Sequence, residues 1–269
     1  MELLAEQPRR RWQFERKGFM TELKSNAEWK QWGKDDPLFG VAAWAGKEKA
    51  GASPWTEEEF YAVGESDWHD FLRHWQHYGV SKLSCLEIGC GAGRLTKQLA
   101  LSFDHVYGVD VSPEMIGRAK AAIKSGNVEF AVIDGLHLPQ AIGSVQAIFT
   151  VLVLQHLDNQ EFGFSYFREF YRVLDAGGTI MVGLPLYQFP VESGVTGALM
   201  SSQYAVRRSL GNIRAAIKRS MGRKTMRGTQ YPIKSLCQFL TDLGFKGVEF
   251  RIFPVRSNGA YESFVFATK

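Results

Sequence analysis

Leu86-Glu87-Ile88-Gly89-Cys90-Gly91-Ala92-Gly93-Arg94 is the stretch on which the fold turns. The run 83–88 reads as a strand, and the three glycines after it let the chain turn tightly into a helix while a ligand approaches the backbone. The first amides of such a helix have no partner within it and stay available as donors. A second apolar run, 105–110, closes on Asp110, where nucleotide-binding α/β folds place a carboxylate that accepts hydrogen bonds from ribose hydroxyls. A glycine-rich turn alone can be a plain strand-to-helix connection; the turn and the acid together point to a nucleoside cofactor.

Outward from this point, short apolar strands alternate with amphipathic helices, the pattern of a parallel sheet covered on both faces. Strands are expected at 83–88, 105–110, 127–133, 145–152, 178–184, 247–254 and 261–268, with helices at 93–102, 113–124, 160–174 and 233–243. Asp158 and the Gly177-Gly178 pair bracket the third of these helices, and Gly244 stops the last. Only Ser257, Asn258 and Gly259 separate the final two strands, so they should pair as an antiparallel hairpin. The fold class expected is α/β: a seven-stranded, mostly parallel, doubly wound sheet with an antiparallel C-terminal hairpin.

Residues 1–80 have a different character and hold all seven tryptophans, from Trp12 to Trp75. Thr56 followed by Glu57, Glu58 and Glu59 is a helix start, and Ser66 or Asp67 is expected to start another helix that runs to about Tyr78. Residues 1–80 are thus expected to be a helical cap on a domain spanning 81–269. Within that domain a basic insertion occupies about 186–231. From Ser193 to Thr241 the chain carries nine Lys or Arg and no acid, and the helix expected at 203–224 has opposite basic and apolar faces. Such a helix suits a lid with a solvated outer face better than an anionic membrane surface or the grip on an acidic substrate.

The net charge of +4 is too small to argue for nucleic acid. Cys85, Cys90 and Cys237 form neither a disulfide framework nor a zinc pattern, and no metal is expected. His69, His74 and His77 read as a solvated helix face. No run is long enough for a membrane span, and Arg9, Arg10 and Arg11 have no apolar segment behind them, which makes the cytoplasm the expected location.

A nicotinamide or flavin enzyme shares this topology, but here Glu87 stands two residues before the first glycine, Gly93 comes one position early for the dinucleotide fingerprint, and Arg94 is bulky. Glu87-x-Gly89-x-Gly91-x-Gly93 instead resembles the first motif of class I S-adenosylmethionine-dependent methyltransferases. Val109 to Ile116, Asp134-Gly135, Ala147 to Leu157, and Arg172-Val173-Leu174-Asp175-Ala176-Gly177-Gly178 are similar to later segments of that family, with Ala176 in place of the usual proline. Trp29, Asp36-Pro37-Leu38 and Gly64-Glu65 resemble the cap of a bacterial branch that modifies natural products and saccharides.

The resemblance implies S-adenosylmethionine as cofactor and assigns roles along the chain. Glu87 would face the methionine amino group, the loop at Gly89, Cys90, Gly91 and Gly93 would approach that moiety, and Asp110 would bind the ribose. Val111 and Met115 would pack the adenine, Asp134 would accept from its amino group with Gly135 and Leu136 completing that edge, and Thr150 and Val151 would lie beside the sulfonium. Asp134 also fits a plain turn former before Gly135. Methyl transfer needs alignment more than acid–base chemistry. If the acceptor is a hydroxyl, His156 is the candidate base, although a histidine there can equally orient the loop. The chain lacks an Asn- or Asp-Pro-Pro-aromatic turn and a Pro-Cys nucleophile after the fourth strand, which argues against DNA and for a small or saccharide-like acceptor methylated at oxygen. A non-catalytic cofactor-binding module and a nicotinamide oxidoreductase are the alternatives.

Overall fold

The structure, a computed structural model, describes residues 23–139, 144–188 and 228–269. Among these, strands β1 (Ser84–Ile88), β2 (His105–Asp110), β3 (Val128–Val132), β4 (Val145–Thr150), β5 (Leu174–Gly183), β8 (Lys246–Pro254) and β9 (Tyr261–Thr268) form one seven-stranded sheet in the order β3-β2-β1-β4-β5-β9-β8. The first five run parallel, and β9 enters antiparallel between β5 and β8, pairing Val182 with Val265 and Phe250 with Val265 on its other side. β8 is therefore an edge strand; its register shifts between Lys246 and Glu249, and it ends on Pro254. Two two-residue strands, β6 (Leu186–Tyr187) and β7 (Tyr231–Pro232), pair with each other. They flank the expected basic insertion, whose residues 189–227, like the arginines at the start of the chain, lie outside the described residues.

The helices are α1 (Lys24–Asp35), α2 (Pro37–Val41), α3 (Glu57–Trp75), α4 (Thr96–Ser102), α5 (Pro113–Ala122), α6 (Gln160–Val173) and α7 (Ile233–Leu243). In α6 the buried positions Gly163, Tyr166, Phe167, Phe170 and Val173 recur at three- and four-residue spacing, so one stripe faces the sheet. With Leu236 and Leu240 of α7 they pack on Leu86, Ile148, Ile180 and Val265. On the opposite face Trp68, Phe71 and Trp75 of α3 and Leu99 of α4 cover Cys85, Phe149, Phe264 and Phe266. Farther out, α5 sets Ile116, Ala119 and Ile123 against Phe130.

Two expectations are corrected. The helix that starts at Thr56 does not stop for a second start at Ser66 or Asp67; α3 is continuous from Glu57 to Trp75. Its start is a capping box: Thr56 accepts from the Glu59 amide while the Glu59 carboxylate accepts from the Thr56 amide. Gly64, a local reason to expect a break, lies at a close approach, since a Cβ there would fall 2.3 Å from the Arg94 carbonyl oxygen. Second, the residue capping α6 is Asn159, which accepts from the Phe162 amide. Asp158 instead accepts from the amides of Lys24 and Ser25 and so holds the start of α1.

The boundary expected near residue 80 does not coincide with a break in packing. Trp75 is fully buried, and its indole N–H donates to Thr179 Oγ1 of β5 at 3.0 Å. α3 is thus a layer of the sheet domain, while α1 and α2 lie at the mouth of the site.

Candidate active site

A cleft of about 890 Å³, open mouth included, lies at the carboxyl ends of β1, β2 and β4, the edge where open parallel sheets bind ligands. From β1 and its loop come Glu87, Gly89, Cys90, Gly91 and Arg94; from β2 and α5, Asp110, Val111 and Met115; from the loop after β4, Val151, Leu152, Val153 and His156. Gly89 and Gly91 have φ of +70° and +52°, conformations that L side chains rarely adopt. A Cβ on Gly91 would first meet Val41 of α2, 2.6 Å away. Leu152 also has a positive φ, 59°, a strained geometry that clusters at functional sites.

The acids are held with care. Asp110 Oδ2 accepts from the Gly91 amide and Oδ1 from the Ser112 amide, each at 2.9 Å, so the carboxylate ties β2 to the glycine loop. Burial pushes its carboxyl above the usual range, and the amides of Ser112 and Gly91 oppose that rise. Glu87 is buried and accepts from Thr96 Oγ1 at 2.6 Å. Burial pushes it up to about 7, with Asp110 adding to the rise and Thr96 and Arg94 opposing it.

This shift has a consequence for stability. Below about 4.5, the ordinary glutamate value, Glu87 is protonated in both folded and unfolded chains, and its favourable contribution is complete; as pH rises through about 7 the folded protein must ionise a buried acid and that contribution is lost. Glu87→Gln, which can still accept from Thr96, should remove this loss. The difference in unfolding free energy between variant and wild type should grow by on the order of 3 kcal/mol from pH 4.5 to pH 8 in ligand-free urea titrations. A constant difference would show that Glu87 titrates normally.

Not every residue picked out in the sequence reaches the cleft wall. Gly93 lies against α5, where a Cβ would come within 2.8 Å of Ile123. Thr150 is buried and donates to the Ile88 carbonyl, joining β4 to β1. Asp134 Oδ1 accepts from the amides of Leu136 and His137, and its Oδ2 meets His137 Nδ1 at 2.9 Å, so its carboxylate closes the turn that contains Gly135. Its backbone carbonyl accepts from Asn26 Nδ2.

The wall also contains residues that sequence reasoning missed: Ser25, Asn26 and Trp29 of α1, Ile133, Leu157 and Tyr166. The Trp29 ring meets His156 edge-on at 5.0 Å. The tryptophans therefore divide, with Trp29 facing the cleft, Trp44 and Trp55 packed on each other at 5.0 Å, and Trp68 and Trp75 in the core.

A second cleft of about 800 Å³ adjoins the first and shares Trp29, Val41, Arg94, Val151, Leu152 and His156 with it. Trp44, Phe71, Asp67, Gln155, Asn258 and Glu262 line it alone. Arg94 Nη1 pairs with Asp67 Oδ2, and both side chains are almost wholly buried. Arg94 Nε and Asp67 Oδ1 have no hydrogen-bond partner.

Residues 86–182 match the family model described as a methyltransferase domain. The chain is 30% identical over 102 residues to ajmaline N-methyltransferase of Rauvolfia serpentina, covering 36% of this chain and 34% of that one. It is 34% identical over 105 residues to malonyl-[acyl-carrier protein] O-methyltransferase of Hahella chejuensis, covering 38% and 37%. The chain thus spans little more than a third of the length of these curated relatives. Among solved structures, magnesium protoporphyrin IX methyltransferase from Synechocystis PCC 6803 with bound SAH superposes with a TM-score of 0.58 at 17% identity, covering 91% of this chain and 100% of that one. That likeness shows the fold, the Rossmann-like α/β fold of class I methyltransferases.

Proposed function

We infer that this chain, whose residues 86–182 match a methyltransferase domain, transfers a methyl group from S-adenosylmethionine to a small acceptor. The observation that carries the reading is the charge of the first cleft. Among the described residues lining it, two acids, Glu87 and Asp110, face one Lys or Arg, and that one, Arg94, is already paired with Asp67. A dinucleotide pyrophosphate would find no free cation there, whereas an ammonium group and ribose hydroxyls would find carboxylates.

The residues suit the cofactor part by part. Glu87 would hold the amino group. Asp110 would keep its two backbone amides and accept from the ribose with its remaining lone pairs. Val111, Met115, Ile133 and Leu157 offer a flat apolar slot for the base. Bound S-adenosylmethionine supplies a methyl carbon activated by the sulfonium. The protein's task is then alignment, on the order of 7–11 kcal/mol of the barrier, and exclusion of water by α1 and the loop after β4.

The acceptor is hydroxylated and saccharide-like, methylated at oxygen. The ring of Trp44 suits a ring's carbon skeleton, and Asp67, Glu262, Asn258 and Gln155 suit its hydroxyls. The test is thermal stabilisation by S-adenosylmethionine, S-adenosylhomocysteine and NAD. The first two should raise the melting temperature and NAD should not; stabilisation by NAD alone overturns the reading. Mass detection of methylated products from hydroxylated small molecules then identifies the acceptor.

A further inference from the structure

The second cleft contains ionisable groups that cofactor binding does not use. Asp67 comes from α3, Arg94 from the glycine loop and Glu262 from the start of β9, segments far apart in sequence that meet at the wall of this cleft. Asp67 is 5% exposed, and its Oδ1 has no partner although its other oxygen pairs with Arg94. A buried acceptor atom left unmet is costly, and a ligand's donor would satisfy it. We propose that this cleft is the acceptor site and that Glu262 receives the proton of the acceptor's hydroxyl there, while Asp67, held by Arg94, accepts a second hydroxyl and fixes the ring. This rests on the methyltransferase reading above.

The step balances without another reactant. The acceptor oxygen bonds to the methyl carbon, the carbon–sulfur bond breaks with its electron pair going to sulfur, and the hydroxyl proton passes to the Glu262 carboxylate, which later returns it to water. Glu262 is tuned for this work. Burial pushes it up to about 7, the charge of Asp67 pushes the same way, and Arg94 pulls it down. A base poised near neutrality is partly ionised and still a competent proton acceptor. Besides Asp67 and Arg94, His156 lines the same cleft and is the competing base. On β8, Phe253 stands opposite Glu262 and brings no charge.

The experiment uses the full chain and a panel of methyl glycosides and phenols. Methylation is followed by product mass, and binding is followed on protein loaded with S-adenosylhomocysteine. In the wild type, kcat/KM should rise with pH through about 7 and level off above it, because the ionised form of Glu262 is the base. In Glu262→Gln the rate should fall by about 10²- to 10⁴-fold and the acid limb should vanish, with S-adenosylhomocysteine affinity within about twofold of wild type. Glu262→Asp should restore part of the rate and the limb. A Gln variant that keeps the wild-type rate and limb overturns the assignment in favour of His156 or no base. If no panel member binds or is methylated while S-adenosylhomocysteine still binds, the acceptor assignment falls and the cofactor reading stands. Failure of S-adenosylhomocysteine to bind overturns both.

Discussion

Asp110→Ala should weaken S-adenosylhomocysteine binding by roughly 10- to 150-fold, the loss of about 1.5–3 kcal/mol carried by a hydrogen bond to a charged group. The effect has two sources. The carboxylate is the proposed ribose acceptor, and it also holds the amides of Gly91 and Ser112, so its removal should loosen the loop that must approach the ligand. Asp110→Asn separates these. An amide can still accept from Ser112 with its oxygen, but its nitrogen would face the Gly91 N–H, donor against donor, so Asn should recover little. Calorimetric titration measures the affinity, and far-UV circular dichroism checks that the sheet persists. An unchanged Kd in the alanine variant would remove Asp110 from the cofactor site.

Trp75→Ala is the stability counterpart, with an expected loss of about 3–5 kcal/mol, the range for truncating a buried tryptophan. Its ring is fully enclosed between Phe103 and Phe149, and its N–H satisfies Thr179. In a chain of this size that is a fall in melting temperature on the order of 10 °C. Trp75→Phe should keep most of the packing and cost about 1 kcal/mol for the missing hydrogen bond. An alanine variant melting with the wild type would mean that α3 is peripheral. The same packing shows why a truncation after residue 65 is a poor probe of the cap: it would sever α3 inside its span and discard the buried Phe60.

The sheet was legible because central parallel strands, covered on both faces, read as near-continuous apolar runs. Parallel Val145–Thr150 stands within two residues of where the sequence put it, and so does the antiparallel but equally enclosed Tyr261–Thr268. Helix ends were less legible. Gly64 looks like a break in sequence, and only the Arg94 carbonyl pressed against it explains a glycine inside α3. Asp158 looks like a cap for the helix just after it, yet it serves α1, 133 and 134 positions away, a choice no local pattern encodes. In the site, the contiguous motif at Glu87 to Gly91 and the strand-end Asp110 could be read directly. Asn26 and Trp29 of α1, Asp67 of α3 and Glu262 of β9 could not, because these elements meet at the clefts only when the chain closes.

The edge strand β8 bears on how these molecules behave toward one another. A free sheet edge presents unpaired N–H and C=O groups that a strand from another copy can extend. Here the bulge between Lys246 and Glu249 bends that ladder, Pro254 removes a donor at its end, and Lys246, Glu249 and Arg251 interrupt it with charges of both signs. At the opposite edge β3 is five residues long. Two copies that collide edge to edge at β8 therefore find no straight template to zip along.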